Sequence, residues 1–128
     1  APIMDVIDYG EPVTTKGLNM LYGPGNDLVS ATALTAAGAH MVLFSTGRGT
    51  PFGAPAPTLK IATNSQLAAR KKTWIDFNAG VVADGERTLD EAGADLYRLV
   101  LDVASGKQTC AEKKGFREIS IFKDGVVL

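Results

Sequence analysis

The chain has little of what would tie it covalently, anchor it in a membrane or hold it to nucleic acid. Cys110 is the only cysteine in 128 residues. No internal disulfide can form, so stability must come from buried apolar surface, and the composition suits a reducing cytosol. Neither sign of charge is in excess, with 13 Lys and Arg against 14 Asp and Glu and a formal charge of -1. No block of like charge is available to grip a phosphate backbone, which excludes the usual nucleic-acid binders. Long apolar runs are also missing. The most apolar stretch, 31–44, is broken by Thr35, Gly38 and His40 and falls short of the ~20 residues a spanning helix needs. Internal repeats and low-complexity segments are absent, and 1–128 reads as a single soluble domain. The chain opens at Ala1 with APIMDVIDYGEPV, and residues 1–16 read as a turn-rich connector with no secretory signal.

Alternation of strand and helix signals is what remains. Residues 18–22 predict a strand that ends in Gly23-Pro24-Gly25-Asn26-Asp27, a turn whose Asn or Asp can cap a helix over 28–38, with Gly38 as its stop. The run 41–45 predicts a parallel strand covered on both faces, giving a right-handed βαβ unit. Three glycines and three prolines over 46–57 exclude helix and central strand, so this segment is an ordered functional loop. A third strand is predicted at 59–62, a short helix capped by Asn64 at 65–70, and a fourth strand at 74–77. Apolar residues at 3.6-residue spacing predict a long helix over 88–105, with Thr88 and Glu91 as a capping box, Gly106 as terminator, and Asp90, Asp95, Arg98 and Asp102 on its solvated face. The tail, 116–122, alternates as an edge strand would before a turn at Asp124-Gly125. The expected fold is a three-layer α/β architecture, a mainly parallel sheet flanked by helices.

In such a sheet ligands bind beyond the carboxyl ends of the strands. That rule gathers Asn26 and Asp27, then Thr46, Arg48 and Thr50, then Thr63 and Asn64, then Asp76 and Asn78 on one rim. Arg48 lies between Gly47 and Gly49, where the backbone can approach an anion while the guanidinium forks onto it. Lys60 either reaches the same pocket or points to water. Asp27, Asp76, Asn26, Asn64 and Asn78 offer hard oxygen ligands for a divalent cation, although caps and turns use the same residue types. His40 precedes its strand and reads as structural. Gly23-Pro24-Gly25 lacks the later glycine of a dinucleotide fingerprint, and neither glycine-rich stretch matches a Walker loop.

Pro24-Gly25-Asn26-Asp27, the run from Met41 through TGRGTPFG to Gly53, Pro57-Thr58-Leu59-Lys60-Ile61-Ala62-Thr63-Asn64, and Trp74-Ile75-Asp76-Phe77-Asn78-Ala79-Gly80 resemble the C-terminal motifs of the altronate and galactarate dehydratase family. Phe116-Arg117-Glu118-Ile119 resembles the family's ending. The resemblance implies a Rossmann-like fold and a chain that is the C-terminal fragment of a longer cytoplasmic enzyme, a homo-oligomer in its full-length form. It further implies iron(II)-dependent loss of water from D-altronate or galactarate, with another divalent cation as a substitute. On this reading Arg48 and Lys60 are catalytic and hold the substrate carboxylate. Thr46, Gly47, Gly49, Thr50, Asn64 and Asn78 bind substrate, and Asp27 and Asp76 bind the metal. The partner is the upstream region of the same enzyme. A noncatalytic sugar-acid or nucleotide-binding module is the alternative.

Overall fold

The computed structural model describes residues 1–121. Strand β1, Ile3–Ile7, lies within the segment read as a connector. Its β-branched residues, bounded by the turn at Gly10 and by Pro12, favour an extended chain. It pairs in parallel with β2, Leu18–Leu21. Helix α1, Asp27–Ala36, starts where the predicted cap puts it: extended Asn26 accepts hydrogen bonds from the amides of Leu28 and Val29, each at 3.2 Å. The helix stops before Gly38, whose φ of 114° is a left-handed value.

The second sheet carries the site. It consists of β3 (Val42–Thr46), β4 (Thr58–Ala62) and β5 (Phe77–Asn78), all parallel, with β4 in the middle. The register runs from Val42 opposite Thr58 to Thr46 opposite Ala62, and then from Ile61 opposite Phe77 to Ala62 opposite Asn78. Central β4 is the buried strand, Leu59 and Ala62 having no exposed surface. Edge strand β3 is covered on one side only, with Leu43 51% exposed on the other. Ala31 of α1 packs with Val42, Phe52 and Ala54 in one cluster, to which Leu28 and Phe44 add. Phe44 and Phe52 meet edge to face, their centroids 5.1 Å apart.

Short helices fill the gaps between these strands. Asn64 caps α2, Ser65–Arg70, through a 2.8 Å bond from the amide of Leu67, and Leu67 joins Ala62 and Ile75 in a second cluster. Helix α3, Gly80–Ala83, follows β5 directly. Helix α4, Leu89–Ala104, has the predicted capping box of Thr88 and Glu91. Asp95 pairs with Arg87 and Arg98, and Asp102 with Lys107, on its wet face. Helix α5, Cys110–Lys113, carries a second box from Thr109 and Glu112.

Three expectations fail. Strands β2 and β3 lie in different sheets, so the predicted βαβ unit is not one, and the architecture is two small parallel sheets with helices around them instead of a single Rossmann-like three-layer sheet. Local signals specify strand and helix, but which strands become neighbours depends on tertiary packing. The fourth strand begins at Phe77, three residues late. Residues 116–121 do not form a strand. There the chain is held at separated points, the amide of Phe116 on the Ala111 carbonyl, that of Glu118 on Gly53, and that of Ser120 on the Thr32 hydroxyl. Phe122, Asp124 and Gly125 lie outside the described residues. No helix among those described is long and apolar enough to cross a membrane.

Gly80 is where β5 and α3 meet α2. A Cβ there would lie 2.3 Å from the amide nitrogen of Ser65 and 2.6 Å from Cα of Asn64. Gly80→Ala must displace the start of α2, at a cost of about 2 kcal/mol, and denaturant unfolding should show a lower midpoint with an unchanged slope.

Candidate anion-binding site

The loop leaving β3 folds back on its own first residue. The hydroxyl of Thr46 accepts the amides of Arg48 at 3.3 Å and Gly49 at 2.9 Å, a local turn typical of Ser and Thr. Gly49 has φ +81°, and a Cβ on it would come within 3.0 Å of Leu67 Cδ1 and 3.1 Å of Lys71 Cδ. A glycine there satisfies both the backbone and the close approach of α2. Asn64 ties loop to helix: as its oxygen caps α2, its Nδ2 donates to the Gly47 carbonyl at 3.1 Å. The amide of Thr63 donates to the Thr46 carbonyl. Lys71 Nζ donates to the Gly49 carbonyl at 3.4 Å and sits 4.4 Å above the Trp74 ring.

Between loop and helix lies a hollow of about 260 Å³, lined by Gly47, Arg48, Asn64, Gln66, Leu67, Arg70 and Lys71. Three cationic side chains face it and no acidic one does. Among the described residues, ion pairs form at Arg87, Arg98 and Lys107 and not at these three. Concentrated positive charge without a protein counter-charge is suited to an anionic ligand. Arg48 and Asn64 were legible in the sequence. Gln66, Arg70 and Lys71 were missed, although a polar residue and a cation four apart on a capped helix share one face.

The other candidates fall on the far side of the loop or beneath it. Asp27 accepts from the Thr50 hydroxyl at 3.4 Å, so the two meet although β2 belongs to the other sheet. Lys60 does not line the hollow and does not point to water. It is 1% exposed, its Nζ donates to the Thr50 carbonyl, and it lies 5.2 Å from the Phe52 ring centroid. Burial pushes its pKa down against the opposing pull of Asp76, Glu118 and Cys110. Asp76 precedes β5 and is therefore off the rim. One carboxylate oxygen accepts the Lys60 amide at 2.8 Å, the other the Cys110 amide at 2.7 Å. Asn78 does stand at a carboxyl end, where it donates to Ser65 Oγ and accepts from the Gly80 amide, each at 2.9 Å. Ser65 in turn donates to Asp84 at 2.5 Å.

Two more groups bear on what the site can do. Burial pushes the Cys110 thiol pKa up, and Asp76 adds to the shift, the opposite of nucleophile activation. Glu118 accepts the Gly53 amide at 2.9 Å while its own amide donates to the Gly53 carbonyl at 2.8 Å. The tail thus clamps the functional loop. Among the described residues no three His, Cys, Asp or Glu side chains converge into a metal-binding group.

A loop tied down at Thr46, Asn64 and Gly53 and a short helix enclose a positively lined hollow on an α/β scaffold. Residues 1–127 match the family described as D-galactarate/Altronate dehydratase, C-terminal, and the chain belongs to that family. It is 54% identical over 126 residues to the altronate dehydratase of Escherichia coli strain K12, covering 98% of this chain and 25% of that protein. It is 48% identical to the altronate dehydratase of Bacillus subtilis strain 168, over 100% of this chain and 26% of the relative. Against the galactarate dehydratase (L-threo-forming) of Escherichia coli strain K12 the identity is 39%, over 98% of this chain and 24% of the relative. The chain thus spans about a quarter of the length of these curated relatives.

Two measurements probe the buried supports. Lys60 loses its proton more readily in the fold than in the unfolded chain, so unfolding takes up a proton between its lowered pKa and the ordinary lysine value. Stability should therefore rise with pH across that interval. Lys60→Met should flatten the rise in denaturation midpoints collected as pH is raised toward the ordinary lysine value. Glu118→Ala frees the loop at Gly53 and should cost about 1–2 kcal/mol in thermal unfolding, with backbone exchange at Gly53 speeding up.

Proposed function

We propose that this chain forms the anion-recognising C-terminal part of a hydro-lyase that dehydrates a sugar acid by β-elimination. D-altronate would give 2-keto-3-deoxy-gluconate, or galactarate 5-keto-4-deoxy-glucarate. The observation that carries the reading is the position of Arg48, on a loop fixed at Thr46, Asn64 and Gly53, facing a hollow with no acidic side chain.

Removing water from a hydroxy acid begins with loss of a weakly acidic proton beside the carboxylate, and the enediolate that results must be held by fixed positive charge or a metal. Arg48 supplies a guanidinium whose paired N–H groups match a carboxylate. Asn64 presents an amide for substrate hydroxyls. The amides of Arg48 and Gly49 are bonded to Thr46 and shape the turn. Lys60, bonded to the Thr50 carbonyl, supports the loop from beneath and does not touch substrate. The lining contains no carboxylate or imidazole, and on this reading the proton-abstracting base is supplied from outside the hollow.

Iron(II) fits these residues only in part. Asp27, exposed and engaged by one hydroxyl, is open to a cation. Asp76, with a backbone amide on each oxygen, is less free for one. One carboxylate does not make a ferrous site, so on this reading the remaining ligands come from outside the described residues.

In the full-length enzyme, assayed anaerobically with ferrous iron on D-altronate and galactarate, Arg48→Ala should lower kcat/KM about a hundredfold with an unchanged melting temperature. Undiminished release of 2-keto acid would remove Arg48 from the site.

A further inference from the structure

Three cations line the hollow, and the resemblance points to only one of them. Arg70 closes the last turn of α2, is exposed, and among the described residues enters no ion pair. Its placement has a purely local explanation, since cations favour helix C-termini. That effect is small for a six-residue helix, and Lys72 provides the same charge just beyond α2 without lining the hollow. Gln66 stands four residues before Arg70 and lines the same space, while Leu67 between them is buried and forms its floor. Lys71 is committed to the Gly49 carbonyl and the Trp74 ring. Arg70 is therefore a second guanidinium that lines the hollow with Arg48 and, among the described residues, enters no ion pair.

We propose that Arg70 is a further substrate-binding residue, which with Arg48 grips carboxylate oxygens of the sugar acid while Gln66 and Asn64 meet the neighbouring hydroxyls. The inference rests on the sugar-acid reading above. The chemistry of the lining suits such a ligand: forked donors match a planar carboxylate, and side-chain amides donate to and accept from hydroxyls. At about 260 Å³ the hollow lies just under the ~300 Å³ lower end of ligand pockets, room for the charged end of a small acid rather than for a whole nucleotide.

The test uses the full-length enzyme with Arg70→Gln, Arg70→Lys and Lys72→Gln, and reads both calorimetric binding of D-altronate and galactarate and turnover. Arg70→Gln should raise Kd and KM at least tenfold while kcat stays within about threefold, the pattern of lost ground-state binding. Arg70→Lys should recover part of the loss, and Lys72→Gln should match wild type, which separates a local contact from a general loss of charge. Binding by Arg70→Gln within twofold of wild type, or equal weakening in Lys72→Gln, overturns the assignment. Arg70-dependent binding without keto-acid release overturns the dehydratase reading and keeps this site. Normal turnover by Arg70→Gln with unchanged KM does the reverse, and a wild-type enzyme that binds neither acid sinks both.

Discussion

A buried ammonium group sets the terms for everything around it. Lys60 stands in the middle of the central strand with 1% of its surface exposed, and taking a cation out of water costs several kcal/mol unless its surroundings compensate. Here they are a backbone carbonyl at Thr50, the face of Phe52, and the negative fields of Asp76 and Glu118. Each contact fixes something else. Thr50 and Phe52 belong to the functional loop, Asp76 holds the amides of both Lys60 and Cys110, and Glu118 holds Gly53. From Cys110 the path runs through α5, since Ala111 accepts the amide of Phe116, two residues before Glu118. The contacts close into a ring around the buried charge, and the loop is one arc of it.

That ring separates support from recognition. Lys60, Asp76 and Glu118 carry charge but spend it inside, on backbone groups. Arg48 and Arg70 carry charge at the exposed lining of the hollow, with Lys71 held beside them by the Gly49 carbonyl and the Trp74 ring. An acidic side chain near these three would neutralise the hollow, and the acids nearest in sequence are engaged elsewhere: Asp76 with amides, Asp84 with Ser65. Electrostatic preorganisation of this kind depends on where carboxylates are kept as much as on where cations are placed.

Much of the local structure was legible because its causes are local. Asn64 and Thr88 cap their helices, Gly38 ends α1, and the proline-rich loop is irregular, all through interactions within a few residues. The sheet partition was not legible, because no feature of residues 18–22 or 41–45 says that a helix between them will join two sheets instead of one. The structural contacts of Lys60 and Asp76 were not legible for a related reason. A charged residue in a strand announces either a site or water, and the third option, a buried polar clasp, appears only once Cys110 and Thr50 have been brought alongside. Arg70 did not stand out because a cation at a helix end is ordinary until the cavity beside it is seen. The tail motif was recognised by its resemblance, but its work, clamping Gly53 with a side chain 65 positions away, is a long-range fact that alternation of apolar residues cannot express.

The span between Gly53 and Glu118 also has a meaning in time. A ribosome adding about 5–20 residues per second completes the loop several seconds before the carboxylate that clamps it exists. Within that interval the nascent polypeptide completes the lining of the hollow, at Lys71, while the clamp is still to come. A product cut short after α4 would contain Arg48, Asn64 and Arg70 and lack the Glu118 contact at Gly53, so the last support of this loop is also the last to be synthesised.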